Sequence, residues 1–147
     1  MSRHSNKEIV RRILKEFWHA GYEGVLDQVF APDFVNYELS NPAITGLEEY
    51  KEWARGARAM WNTASSDWRI LIQDMVAEGD KVLKRWVLFG THTGELFGVP
   101  ATGKPIEMQG MSLYLISGGK VREIHWNYDL FGVAQQIGAM PASAVTS

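Results

Sequence analysis

The chain of 147 residues contains no cysteine. That absence excludes a disulfide framework, a thiolate nucleophile and any zinc site built on cysteine. No stretch approaches the roughly 18 to 20 consecutive apolar residues that a membrane-spanning helix needs. The start, Met1-Ser2-Arg3-His4-Ser5-Asn6-Lys7-Glu8, has no apolar core behind a basic segment. We therefore expect a soluble, cytoplasmic protein. An excess of either charge is also missing. Fifteen basic residues stand against 17 acidic ones, interspersed, with a formal net charge of −2. This gives no electrostatic reason to bind nucleic acid or an anionic membrane. Glycine-rich phosphate loops and a Gly-x-Ser-x-Gly elbow are absent, so nucleotide-dependent and serine-hydrolase chemistries have no support. His4, His19, His92 and His125 include no pair at a metal-ligand spacing. No metal and no cofactor are expected.

Aromatic residues are what the chain has in plenty: six Trp, five Tyr and six Phe. Such side chains supply large apolar area with few rotors, which suits a thick core or the wall of an apolar pocket. The length is that of one ordinary domain, expected over 1–147 with a core from about 8 to 141 and a frayed tail from Ala139 to Ser147.

Ile9, Val10, Ile13, Leu14, Phe17 and Trp18 recur at helical spacing and end at Gly21, which predicts an amphipathic helix. Val25, Leu26, Val29 and Phe30 predict a second short helix, stopped by Ala31-Pro32. Phe34 to Tyr37 follow as a strand. Thr45-Gly46-Leu47-Glu48 has the spacing of a capping box, and the stripe Leu47, Tyr50, Ala54, Ala57, Trp61 predicts a third helix. From Trp68 the period becomes that of strands: Trp68 to Ala77, Val82 to Thr93, Ile106 to Ile116 and Val121 to Tyr128, joined by turn-forming sequences. Asp129 is placed to cap a closing helix from Leu130 to Ile137. Helices followed by an antiparallel meander define an α+β layer structure. Leu83, Val87 and Phe89 alternate with Val82, Trp86 and Leu88 on one strand, so both sheet faces are apolar and need covers. Helices can cover one, and a second subunit is the expected cover of the other, making a homodimer through the sheet face.

Several segments together resemble the SnoaL-like polyketide cyclases, or ester cyclases, of the NTF2-like superfamily. They are Arg11-Arg12 with Phe17-Trp18, Phe30 to Asn36, Gly90-Thr91-His92-Thr93-Gly94 through Thr102-Gly103-Lys104, Gly118-Gly119-Lys120-Val121, and Asp129-x-x-Gly132-x-x-x-Gln136-Ile137-Gly138. The resemblance covers about Glu8 to Pro141. It implies a cone-shaped α+β fold with an apolar pocket, usually dimeric, that closes a ring by a cofactor-free aldol reaction. In those cyclases an aspartate six residues after the turn lysine acts as acid/base, helped by a glutamine and a histidine on the preceding strand. Here these positions carry Trp126, Gly110 and Ser112.

Shifting the hairpin by one residue would instead pair Gln109 with His125, and such a slip exchanges every side chain between the two faces. Two registers are therefore open: Trp126 lines the cone, or His125 does. The candidate catalytic residues are His125 as general base, Gln109 as an enolate-oxygen donor, and Asp129 as a pocket acid or helix cap. The candidate substrate-binding residues are Trp18, Asn36, Arg85, Ser112, Trp126 and Tyr128. Arg85 is expected to pair with a carboxylate such as Glu107 or Glu123, or to bind an oxyanion. His92, in a glycine-flanked turn, is read as structural. The expected function is cofactor-independent cyclisation, or related lyase or isomerase chemistry, on a small apolar polycarbonyl or aromatic substrate. The alternative is a non-catalytic binding protein for a small apolar ligand.

Overall fold

A computed structural model describes residues 3–38 and 42–140. The last seven residues of the expected tail, 141–147, lie outside the described residues. Helix α1 (Arg3–Arg12) passes directly into a π-helical stretch over Ile13–His19. Ile13, Leu14, Phe17 and Trp18 are all buried there, so the wider winding turns two adjacent aromatic residues toward the core. Gly21, at φ 77°, ends the stretch, and its N–H donates to the Phe17 carbonyl at 2.7 Å. Helix α2 (Gly24–Val29) leads straight into β1 (Phe30–Glu38). This strand starts earlier than its apolar pattern suggests, because Pro32 is accommodated where the register against the last strand shifts, between Phe30 and Val35.

A two-residue strand, β2 (Ile44–Thr45), precedes α3 (Leu47–Ala64). The expected capping box does not form. Thr45 is held in the sheet opposite Val35, and Gly46, at φ 95°, takes the cap position with no side-chain hydrogen bond. Strands β3 (Arg69–Glu78), β4 (Lys81–Thr91), β5 (Pro105–Ser117) and β6 (Lys120–Tyr128) follow, then α4 (Leu130–Gln136). Asp129 caps α4, accepting from the Gly132 N–H at 2.8 Å. The loop before β5 is held by His92, whose backbone N–H donates to Lys104 and whose Nδ1 lies 2.8 Å from the Thr102 hydroxyl.

The strands form one sheet in the order β2-β1-β6-β5-β4-β3. β1 and β6 run parallel, and the other neighbours are antiparallel. The helices pack on the inner face, over a core that includes Val10, Phe17, Phe34, Tyr50, Val82, Tyr114 and Ile124. Leu71, Val76, Leu83 and Met111 stand exposed on the outer face. The architecture is a curved, helix-covered α+β cone, the α+β layering that the sequence pattern predicts in the shape that the family resemblance implies.

Candidate functional site

The cone holds an open cavity of about 490 Å³ between the π-helical stretch, α3 and the inner face of β3 to β6. All six tryptophans of the chain, Trp18, Trp53, Trp61, Trp68, Trp86 and Trp126, line it. Ile70, Leu88, Met108 and Leu130 add aliphatic wall. Among the described residues, the lining side chains that carry a charge or a hydroxyl are Glu38, Glu52, Lys84 and Tyr128. A site of this kind takes an apolar ligand by burying its surface and orients it through a few polar heads.

The walls are fixed from behind. The Trp126 indole N–H donates to Asn36 Oδ1 at 2.6 Å, and the Trp86 N–H donates to Ser112 Oγ at 2.9 Å. Trp126 meets Trp18 and Trp86 edge to face, with centroids 6.2 Å and 6.0 Å apart. Trp86 lies on Gly110, where a Cβ would come within 2.4 Å of the indole. Trp18 is an exception, since its N–H is buried and makes no hydrogen bond among the described residues. A buried donor without a partner costs free energy, so a ligand oxygen that accepts from it would be stabilising.

At one side the Tyr128 hydroxyl donates to Glu38 Oε2 at 3.0 Å. Burial, and then the Glu38 carboxylate, push the Tyr128 phenol above its ordinary range, so it keeps its proton at neutral pH. Lys84 projects from the middle of β4 and is 1% exposed. Its Nζ lies 5.3 Å from the centroid of the Tyr114 ring and 5.5 Å from that of Trp126. Among the described residues no carboxylate lies within ion-pair distance of it. Burial pulls the amine down to about 7. The two rings attract an ammonium, by on the order of 0.5 to 2 kcal/mol each. That offsets only part of the loss of water around a buried charge, so the direction stays downward.

Trp18, Trp126 and Tyr128 of the sequence-derived candidates line the cavity. Asn36 and Ser112 stand behind the indoles as hydrogen-bond supports. Of the two open registers, the structure has Trp126 in the cone. His125 is on the other face, stacked on Tyr37 at 4.6 Å and 3.1 Å from Glu123 Oε2. Gln109, opposite Val87, shares that outer face, and the sheet therefore separates both residues from the cavity. Arg85 is on the outer face too. It pairs with Asp74, and its Nη1 donates to Gln73 at 3.0 Å; neither Glu107 nor Glu123 is its partner. A bulge between Ile72 and Asp74 brings that carboxylate opposite Arg85. Asp129 is engaged as the α4 cap.

Lys84 and Glu38 were not among those candidates. A signal for the lysine existed: Val82, Trp86 and Leu88 alternate on one face of β4, and Lys84 falls in the same register. A charged residue in the inward row of a strand is costly unless it has a purpose.

Fold and site together define a helix-covered α+β cone with an apolar, aromatic cavity. The model of SnoaL-like polyketide cyclases matches residues 8–137, and the chain belongs to that family. The aklanonic acid methyl ester cyclase of Streptomyces peucetius is 28% identical over 138 residues, 89% of each chain. The nogalonic acid methyl ester cyclase of Streptomyces nogalater is 25% identical over 122 residues, covering 82% of this chain and 89% of that one. Among solved structures, a SnoaL-like protein from Jannaschia sp. CCS1 superposes with a TM-score of 0.77 at 27% identity, with 95% of both chains covered.

Proposed function

We propose that the chain is a cofactor-independent cyclase, or a lyase or isomerase of the same proton-transfer chemistry, acting on a small apolar polycarbonyl or aromatic substrate. The observation that carries this reading is the cavity itself, walled by every tryptophan of the chain and holding the Glu38–Tyr128 pair. The Glu38 carboxylate takes the proton from a carbon flanked by carbonyls. The enolate carbon attacks a second carbonyl of the same molecule, forming the new carbon–carbon bond. The resulting alkoxide takes a proton from the Tyr128 hydroxyl. Passing that proton back from Glu38 to the phenolate restores both groups, and the product is an isomer of the substrate. The Trp18 N–H, without a partner among the described residues, is a donor for the enolate oxygen. Holding both reacting carbons against rigid indole walls supplies the rest, since effective molarity alone is worth on the order of several kcal/mol.

The test uses the compounds named for the relatives, aklanonic and nogalonic acid methyl esters, with liquid chromatography and mass spectrometry as readout. A product of unchanged mass and altered retention is expected, with Glu38→Gln and Tyr128→Phe each slower by about 10²-fold or more. Saturable quenching of tryptophan fluorescence with no isomer formed from either ester would instead favour a binding protein.

A further inference from the structure

Lys84 has no role in the steps above, and its placement is unusual. Lysine is almost never fully buried unless paired, yet this one is 1% exposed and without an ion pair among the described residues. Burial is what lowers its basicity. Its position is set by the sheet: Met75 on one side and Ser112 on the other are its cross-strand neighbours, and Trp86 is the next inward residue along β4. The Ser112 hydroxyl is engaged by Trp86, which leaves the lysine amine at the cavity wall as a polar head aimed at whatever fills the space. As a purely structural element it is a poor choice, because a methionine of similar volume would fill the site without the cost of a buried amine.

We propose that Lys84 is a nucleophile that forms an imine with a ketone or aldehyde group of the substrate, so that this chain works through covalent carbonyl chemistry. The reading rests on the cavity being the reaction chamber and deepens it by naming the substrate class and the activating group. The neutral amine lone pair attacks the carbonyl carbon, a C–N bond forms, and the carbonyl electrons move to oxygen. Proton transfer from nitrogen to oxygen gives a carbinolamine. The carbinolamine hydroxyl takes a proton from Tyr128 and leaves as water, giving a protonated imine. That cation draws electrons from the adjacent carbon, so Glu38 removes the α-proton, an enamine results, and Glu38 passes the proton on to the Tyr128 phenolate. The enamine carbon then attacks the second carbonyl, which re-forms the protonated imine, and the alkoxide so made takes a proton from Tyr128. Water, released at the first stage and consumed at the last, hydrolyses the product imine and returns the free amine, the proton set free going to the Tyr128 phenolate. A lysine desolvated in an apolar pocket is activated for this reaction because a useful share of it is unprotonated near neutral pH.

Benzoylacetone, an aromatic β-diketone small enough for the cavity, is the probe. It traps such an amine as a conjugated enaminone, seen as a near-ultraviolet band and as an intact-mass increase equal to the diketone less one water. The full chain is expected to take up one equivalent, mapped by peptide mass spectrometry to Lys84, at a rate that rises as pH passes through neutrality. Lys84→Met and Lys84→Arg are expected to label at least about a hundredfold more slowly, because neither offers a neutral amine. Both variants should still show quenching of tryptophan fluorescence by the diketone. Circular dichroism checks that they fold, and the methionine variant removes a buried amine and so does not depend on a tolerated charge. Quenching of the wild-type chain with no band and no mass change would overturn the imine while leaving the cavity reading intact. Labelling mapped to another lysine would overturn it as well, and absence of both quenching and labelling would overturn the chamber along with it.

Discussion

Asn36 holds Trp126 from behind: the indole N–H meets the carboxamide oxygen at 2.6 Å, with Asn36 1% and Trp126 9% exposed. The position at which the family resemblance places an acid is thereby a fixed aromatic wall. Removing the acceptor leaves a buried indole donor with nothing to bond, a cost of about 1 to 3 kcal/mol. Asn36→Ala should therefore lower stability by about that amount in urea denaturation. Trp126→Phe should lower it too, while the double variant should cost less than the sum of the two. Additive losses would show that the hydrogen bond does not couple them.

His125 gives the contrasting expectation. Its ring stacks on Tyr37 with an interplanar angle of 9°, on the face of the sheet away from the cavity. His125→Ala should leave both diketone labelling and ester turnover within about twofold of wild type, at a stability cost within about 1 kcal/mol for an exposed cross-strand pair. A loss of turnover comparable to that of Glu38→Gln would require a route from the outer face to the chemistry.

The fold was legible because its signals are redundant. Helical stripes, strand alternation and turn glycines each pointed to an α+β layer structure, the family resemblance implied the cone, and a fault in one signal, such as the capping box at Thr45, changed nothing downstream. The site was less legible because it depends on parity. A residue is inside or outside according to one position of register, and His125 and Trp126 are adjacent. The register shift between Leu115 and Ile116, which leaves Arg122 as the extra residue of β6, decides it: beyond that shift Leu113 faces His125 and Ser112 faces Trp126. Arg85 illustrates the same limit, since its partner Asp74 reaches it through a bulge that no period reveals. Lys84 was readable from the inward row of β4, but a lysine between apolar residues is ordinarily read as a solvated position.

Gly110 tests how tightly the cavity wall is seated. A Cβ there would fall 2.4 Å from one atom of the Trp86 ring, so the indole must move. Gly110→Ala is expected to disturb the Trp86–Ser112 hydrogen bond and to cost about 1 to 3 kcal/mol, as overpacking does. It should also shift the tryptophan emission maximum and weaken diketone quenching. Unchanged binding and stability would mean that the strand yields instead of the ring.

The lysine's depressed basicity also leaves a mark on stability, independent of any substrate. In the unfolded chain Lys84 titrates at its ordinary value of 10.5, and in the folded chain at about 7. Between these values the unfolded state holds a proton that the folded state does not, so stability rises with pH across that window, by at most about 1.4 kcal/mol per pH unit. Below about pH 7 both states are protonated and the full penalty of the buried ammonium remains. Among the groups around it, His19 is pushed down from 6.5, by burial first, and so titrates below the window. Tyr114, Tyr128 and Tyr50 are all pushed up from 10.0, chiefly by burial, so in the folded chain they ionise only above it. Their upward shifts make stability fall again above about pH 10. Urea denaturation followed by tryptophan fluorescence between about pH 7 and about pH 10 should therefore show a rise for the wild type that Lys84→Met lacks, with the variant more stable at the acid end. Parallel curves for the two proteins would mean that Lys84 keeps its proton in the folded chain, held by the Tyr114 and Trp126 rings more strongly than burial opposes.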